Sequence, residues 1–284
     1  MKKITYILSL TAVVVAWWQC QSNKQQTAIA STDIVAIARQ THKEAADTLR
    51  ADTNAALVPV ILKLVEHNAA KALLDTMNLA PMFANTWPDN GFYGADHYRI
   101  EFIITSMERT INDPFVYAVK GKNKFKKTIS EFEGSIEIKD MMEFKDTNLD
   151  TAEINSMSIL KTYSLAGEFN FGEDTTKATS GRFKGTFKTD FATTKDRGLE
   201  LWFYSDSTPA KGAGYRFDGN WTSYKNVSQT KPVIWSRDLF RFANDILEHF
   251  SYGDREIEIN PKYRQYGWDN FWEGEEWWNE TPNQ

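Results

Sequence analysis

The sequence predicts a mainly β fold: an antiparallel, meandering barrel behind an N-terminal helical segment. Three observations predict it. One strand pattern recurs, apolar–x–Gly–x–apolar, at Phe132-Glu133-Gly134-Ser135-Ile136, Leu165-Ala166-Gly167-Glu168-Phe169, Phe183-Lys184-Gly185-Thr186-Phe187 and Phe217-Asp218-Gly219-Asn220-Trp221. With a side-chain period of two, the apolar residues and the Gly share one face and the polar residues take the other. A Gly in mid-strand weakens it unless the strand must bend or be approached closely, so four of them predict a sheet that curls until it closes. Second, about nine strand-like runs follow one another with connections too short for crossover helices, which argues against a parallel sheet. Third, aromatic residues make up 14% of the chain and include 10 Trp, a composition that favours strands and binding surfaces.

The chain opens with Lys2 and Lys3 and an apolar run over residues 4–18, short of the ~20 residues that span a bilayer. Cys20 follows, then a polar stretch. The Cys placement resembles the lipid-attachment site of bacterial lipoproteins, which implies a leader over 1–20 and a mature chain acylated at Cys20. Cleavage after Ala28-Ile29-Ala30, or an uncleaved anchor, are the other two readings. Residues 21–31 read as a tether. Residues 32–80 read as a helical spacer or lid: one helix from Thr32 or Asp33 to about Arg50, and one from Thr53 or Asn54 to Met77, with Leu57, Ile61, Leu64, Val65, Ala69 and Leu73 at helical spacing.

Residues 81–97 are rich in Pro, Gly and Asn and read as a break before the barrel domain, 81–284. Tyr98, Ile100, Phe102 and Ile104 alternate with polar residues as the first strand. Phe115, Tyr117 and Val119 form the next. Further strands are expected at 131–138, 157–163, 165–172, 182–191, 198–205, 214–224 and 231–235, with a loop at 139–156. Ser236 caps an expected helix to Phe250. A short strand with Ile257 and Ile259 precedes a tail holding Trp268, Trp272, Trp277 and Trp278.

Consecutive strands with F-x-G and G-x-W elements, the latter at Gly219-Asn220-Trp221, resemble the calycin-like group that includes lipocalins and avidins. The stretch VYAVKGKNKFKKTISEFEGSIEI over 116–138 is similar to uncharacterised lipoproteins of Gram-negative bacteria with such barrels. The resemblance covers residues 98–235. It implies a small molecule bound in the barrel or at its mouth.

Net charge is −5, and a mature chain without Lys2 and Lys3 is more acidic still, which argues against nucleic acid. Cys20 is the single Cys, so the mature body has no intramolecular disulfide. His42, His67, His97 and His249 lie at no ligand spacing, and no metal or other cofactor is expected. Asp89, Asn90 and Asp96 read as a polar turn before a calcium loop. No nucleophile motif occurs, and no catalytic residue is assigned. Glu101, Glu168 and Glu200 fall on wet strand faces and read as solvated charge, though a carboxylate pair is set by fold and not by spacing. The basic run Lys120, Lys122, Lys124, Lys126 and Lys127 reads as an edge guarded by charge, with an anionic-ligand site as the alternative. Trp202, Tyr204, Trp221, Tyr224 and Trp235 are the candidate ligand-binding residues, as rings that stack on a flat ligand or a sugar. Trp221 also shares the apolar face with Phe132, Phe183, Phe187 and Phe217, which reads as barrel core. The tail tryptophans either staple the C-terminus over an open end or form an exposed patch.

The function expected is non-catalytic binding of a small apolar molecule or a saccharide by a lipid-anchored envelope protein, on the periplasmic side or at the cell surface. The alternatives are a structural or interaction subunit of an envelope complex, and a carboxylate-based hydrolase.

Overall fold

A computed structural model describes residues 61–145, 151–196, 198–203, 207–243, 250–252, 257–269, 271 and 276–279. Strand β1 (Leu62–Leu64) leads into helices α1 (His67–Thr76) and α2 (Ala80–Phe83). Then come β2 (Asp89–Tyr93), β3 (Tyr98–Arg109), β4 (Val116–Phe125), β5 (Thr128–Phe144), a short helix α3 (Thr151–Ser156), β6 (Ile159–Glu173), β7 (Gly181–Thr194) and β8 (Gly198–Leu201). Strands β9 (Tyr215–Ser223) and β10 (Thr230–Ser236) complete the sheet. After them lie α4 (Phe240–Ala243), a separate pair β11 (Phe250–Tyr252) and β12 (Ile257–Ile259), α5 (Pro261–Tyr263), a π-helical turn at Arg264–Trp268 and a 3-10 turn at Trp277–Asn279.

The sheet closes. Strands β2, β3, β4, β5, β6, β7, β9 and β10 pair antiparallel in that order, and β10 returns to β2. The seam is short: Val233 faces Tyr93, Ile234 faces Phe92 and Trp235 faces Gly91. β1 adds to β5 and β8 adds to β7, outside the ring. Closure needs tight coiling, and the four glycines supply it. Gly185 and Gly219 face each other across β7 and β9. A Cβ on Gly185 would sit 2.1 Å from the Asp218 carbonyl oxygen, and one on Gly219 would sit 2.3 Å from that of Lys184. No larger residue fits such an approach without moving a strand.

The interior is packed with aromatic rings. Trp235 stacks on Phe217 at 4.6 Å and 1°, and on Phe102 at 4.1 Å and 18°. Phe169 meets it edge-on at 5.1 Å. Phe132, Phe171, Phe183 and Phe187 fill the same layer and are buried. Offset and edge contacts of this kind add ~0.5–1.5 kcal/mol per pair to the burial of the rings.

The two ends of the ring differ. At one, the strands are joined by turns at 94–97, 126–127, 174–180 and 224–229. At the other, α1 and α2 pack on the core through Ala70, Leu74, Leu79, Met82 and Phe83. Phe83 stacks on Tyr215 at 5.0 Å, and Arg109 Nη1 donates to the Leu74 carbonyl at 2.5 Å.

Several elements depart from the sequence reading. The helix expected up to Met77 begins at His67, because Leu62–Leu64 pairs with β5 instead. Residues 81–97 are not only a break: they hold part of α2 and the ring strand β2. The two strands expected at 157–163 and 165–172 are one, β6, and β5 runs on to Phe144 with a register shift between Ile138 and Asp140. Within the helix expected to Phe250, the structure describes α4, and residues 244–249 lie outside the described set. Strand β4 is no edge, since closure leaves it paired on both sides; Lys120 faces Glu133 and Lys122 faces Glu131. The tail tryptophans staple the outer wall and not an end. Trp268 is buried on Phe92 and donates Nε1 to the His97 carbonyl at 2.8 Å. Trp277 is buried against Ile103 and Ile129, and its Nε1 donates to Glu101 Oε1 at 3.3 Å. The expected leader 1–20 with Cys20, the expected tether 21–31, the part of the expected helices at 32–60, Tyr204 and Trp272 lie outside the described residues.

Candidate functional site

Ladder parity places a set of rings at the turn end. Tyr93, Tyr98 and Phe125 are the last residues of the inward-facing rows before their turns, Trp221 lies one inward position before Ser223 at the end of β9, and each of the four rings is partly buried. They touch in series: Trp221 lies 5.9 Å from Tyr93, Tyr93 lies 4.6 Å from Phe125, and Phe125 lies 6.0 Å from Tyr98. Tyr266 of the π-helical turn extends the row, edge-on to Tyr98 at 4.8 Å. This is a continuous aromatic stripe over the mouth, with its lower faces on the packed core.

A buried carboxylate holds the stripe in place. Glu173, at the end of β6, accepts from Trp221 Nε1 at 2.9 Å and from the Gly181 amide at 2.8 Å through Oε2. Its Oε1 accepts from Asn123 Nδ2 at 2.9 Å. One carboxylate thus ties β4, β6, β7 and β9 together and fixes the Trp221 indole. Three donors satisfy both oxygens of this buried group. Burial, with the Glu173 charge nearby, raises the Tyr93 phenol well above its usual range, so it stays a neutral donor. Beside Glu173 a small cleft of about 40 Å3, lined by Ser130, Glu131, Asp174, Lys177 and Ser180, opens outward. It has room for ordered water and no more.

Cations sit over the stripe. Lys126, in the two-residue β4–β5 turn, has φ 56, a region seldom used by side-chain-bearing residues. Its ammonium lies 4.5 Å from the Tyr98 ring centre and 5.4 Å from that of Phe125. Lys231 is exposed and directly opposite Trp221 in the β9–β10 ladder, on the same face.

The five ring residues chosen from sequence do not meet. Trp221 belongs to the mouth. Tyr224 lies over the outer rim, with the Arg182 guanidinium 5.8 Å from its ring. Trp235 is the centre of the core and is 1% exposed. Trp202 is buried at the helix end, where its amide donates to the Asp190 carbonyl at 2.8 Å. Tyr204 lies outside the described residues. Tyr93, Tyr98, Phe125 and Glu173 were missed. The available signal was positional: each is the last inward-facing residue of a strand before a turn.

The helix end carries a second polar cluster. Asp89 is buried and accepts from Tyr215 Oη at 2.5 Å, from Asn85 Nδ2 at 3.2 Å and from Arg237 Nη1 at 3.4 Å. Asn85 also donates to Tyr215 Oη. Burial pushes the Asp89 carboxyl up to about 7 despite these donors. On the outer wall, Asp190 accepts from the Ala210 amide at 2.9 Å, and burial pushes it up to about 6. The sequence-stressed carboxylates are elsewhere: Glu101 pairs with Arg99 at 2.8 Å, and Glu168 is exposed opposite Glu137. Among the described residues, no three His, Cys, Asp or Glu side chains gather as a metal set.

Comparison with known protein families, curated proteins and solved structures finds no match to this chain. The site therefore stands on its own geometry.

Proposed function

We propose that this chain is a calycin-like envelope protein that binds a saccharide at the mouth of its ring, without catalysis. The observation that carries the reading is the Trp221–Tyr93–Phe125–Tyr98 stripe: touching, partly buried rings, with the Trp221 indole held by Glu173 and the Lys126 ammonium over Tyr98 and Phe125. Sugar rings present C–H faces to aromatic planes and hydroxyls to polar neighbours, and the mouth offers both. The packed interior disfavours an apolar molecule in the lumen, since Trp235 and its neighbours occupy that space. Attachment to a membrane through acylated Cys20, on the periplasmic side or at the cell surface, completes the proposal. It is tested by metabolic labelling with an alkyne fatty acid, which should mark the chain and not its Cys20→Ser variant.

Binding is tested by titrating the folded chain with soluble oligosaccharides and following tryptophan emission and calorimetric heat. Binding that weakens at least tenfold in Trp221→Ala, in a variant that still melts cooperatively, supports the mouth. Unchanged affinity in that variant removes the mouth as the site.

The filled interior favours one other reading, a structural or interaction subunit of an envelope complex. A chain that binds no saccharide, yet sediments as a stoichiometric complex with an envelope protein, would replace the first proposal with this one.

A further inference from the structure

The four turns that rim the mouth carry Lys126, Lys127, Lys177 and Lys225 against Asp96 and Asp174. Lys231 adds a fifth cation on the face that holds Trp221. The rim is thus basic on a chain whose net charge is −5. Like charges gathered against the overall sign repel one another and need a reason to be together. Asp174 interacts with Lys177, and Glu131 lines the cleft beside Glu173. Asp174 folds back on its own turn, accepting from the Thr176 amide at 2.9 Å and its hydroxyl at 2.8 Å. Glu173 is buried with both oxygens occupied. Among the described residues, no carboxylate lies within ion-pair reach of Lys126, Lys127, Lys225 or Lys231.

The backbone adds a second, independent observation. Lys126 holds φ 56 at an exposed turn position where Gly or Asn would fit without strain. That conformation folds its ammonium back over Tyr98 and Phe125. A lysine placed for solubility alone would extend into water.

Resting on the mouth as a saccharide platform, we propose that its ligand is an acidic saccharide: a sugar ring stacked on the Trp221–Tyr93–Phe125–Tyr98 stripe, with its carboxylate or sulfate held by Lys126 and Lys231. An ammonium already lying against a ring is partly stripped of water, so it meets an anion at less desolvation penalty than a fully hydrated one. The anion cancels the repulsion of the rim, and the ring covers the aromatic faces.

Calorimetric titration separates this from the broader proposal. The full chain is titrated at low and high salt with an oligogalacturonate, with a sulfated oligosaccharide and with a neutral oligogalactoside of the same length. The expected result is that an acidic oligosaccharide binds at least tenfold tighter than the neutral one at low salt, with the preference falling as salt rises. Lys126→Gln and Lys231→Gln should each lower the preference for the acidic over the neutral ligand by about tenfold, the ~1.4 kcal/mol equivalent of one lost charge-assisted contact. The uronate and sulfate arms tell which anionic group is preferred. Equal affinity for acidic and neutral ligands overturns the acidic assignment and leaves the platform standing. Acidic binding untouched by both lysine variants also overturns it. Absence of binding by any of the three overturns both proposals.

Discussion

The two ends of the ring bury a carboxylate each, and they do it differently. At the turn end Glu173 receives three donors at 2.8–2.9 Å, two of them from side chains and one from backbone. Among the described residues, turns rim the stripe above it, with the Lys126 ammonium over Tyr98 and Phe125. At the helix end Asp89 has one short bond from Tyr215, while Asn85 and Arg237 stand at 3.2 Å and 3.4 Å. Above it Phe83 and Met82 close the ring. The first arrangement stabilises a charge in place and keeps a surface rigid and open. The second tolerates a proton, because burial there outweighs the donors and raises the carboxyl to about 7. One end is built to present rings, the other to be shut.

The largest test of that contrast is Phe83→Ala. Phe83 is 1% exposed and stacks on Tyr215, so its removal should lower stability by ~3–5 kcal/mol in urea unfolding. A loss below 1 kcal/mol would mean that α2 does not close the core. Next is Glu173→Leu, which leaves Asn123, Gly181 and Trp221 donors buried without an acceptor. It should cost ~2–4 kcal/mol and loosen the Trp221 indole, read as a red shift of emission. A neutral outcome would show that the carboxylate is not what fixes the mouth.

Asp89→Asn sharpens the comparison through pH. A carboxyl raised from 3.8 to about 7 in the folded chain binds its proton more tightly there than in the unfolded chain. Its contribution is full below 3.8 and is lost as pH rises through about 7. Asp190, raised to about 6, acts in the same direction. The melting temperature should therefore fall between about pH 4 and pH 7, other groups aside, and Asp89→Asn should flatten that fall. An equally steep fall in the variant would place the proton elsewhere. Smallest is Lys120→Gln on the outer wall, which removes only an exposed charge across the ladder from Glu133 and should change stability by ~0–0.5 kcal/mol. A loss above 1 kcal/mol would give the outer wall a weight that an exposed cross-strand pair does not have.

Much of the ring was legible because backbone geometry restricts residue type. Gly134, Gly167, Gly185 and Gly219 all lie in ring strands, and the Cβ distances explain why nothing larger stands there. Strand β2 was not legible. Asp89-Asn90-Gly91 has the letters of a turn, and only Phe92 and Tyr93 suggest a strand. Its pairing comes from β3 on one side and β10 on the other, which is tertiary information. The same holds for Leu62–Leu64, whose apolar residues fit a helix face as well as a strand added to β5. Of the candidate rings, Trp221 sits at the mouth, while Trp235 shares the inward face two positions deeper than Val233 and is packed. Composition could not distinguish them; depth along the strand does. Glu173 and Asp89 were invisible as special because a carboxylate's burial depends on which strand ends meet above it.

The seam between β10 and β2 has a temporal consequence. It joins residues near 91 and 235 through three opposed pairs, the most widely separated partners in the ring. Loop closure over such a span is entropically slow, and non-local pairing forms late. During synthesis the half-finished wall waits with Phe102, Phe132, Phe169 and Phe183 uncovered until Trp235 emerges. A chain truncated before residue 230 would lack β10 and with it the seam, leaving an unclosed sheet rather than a smaller barrel.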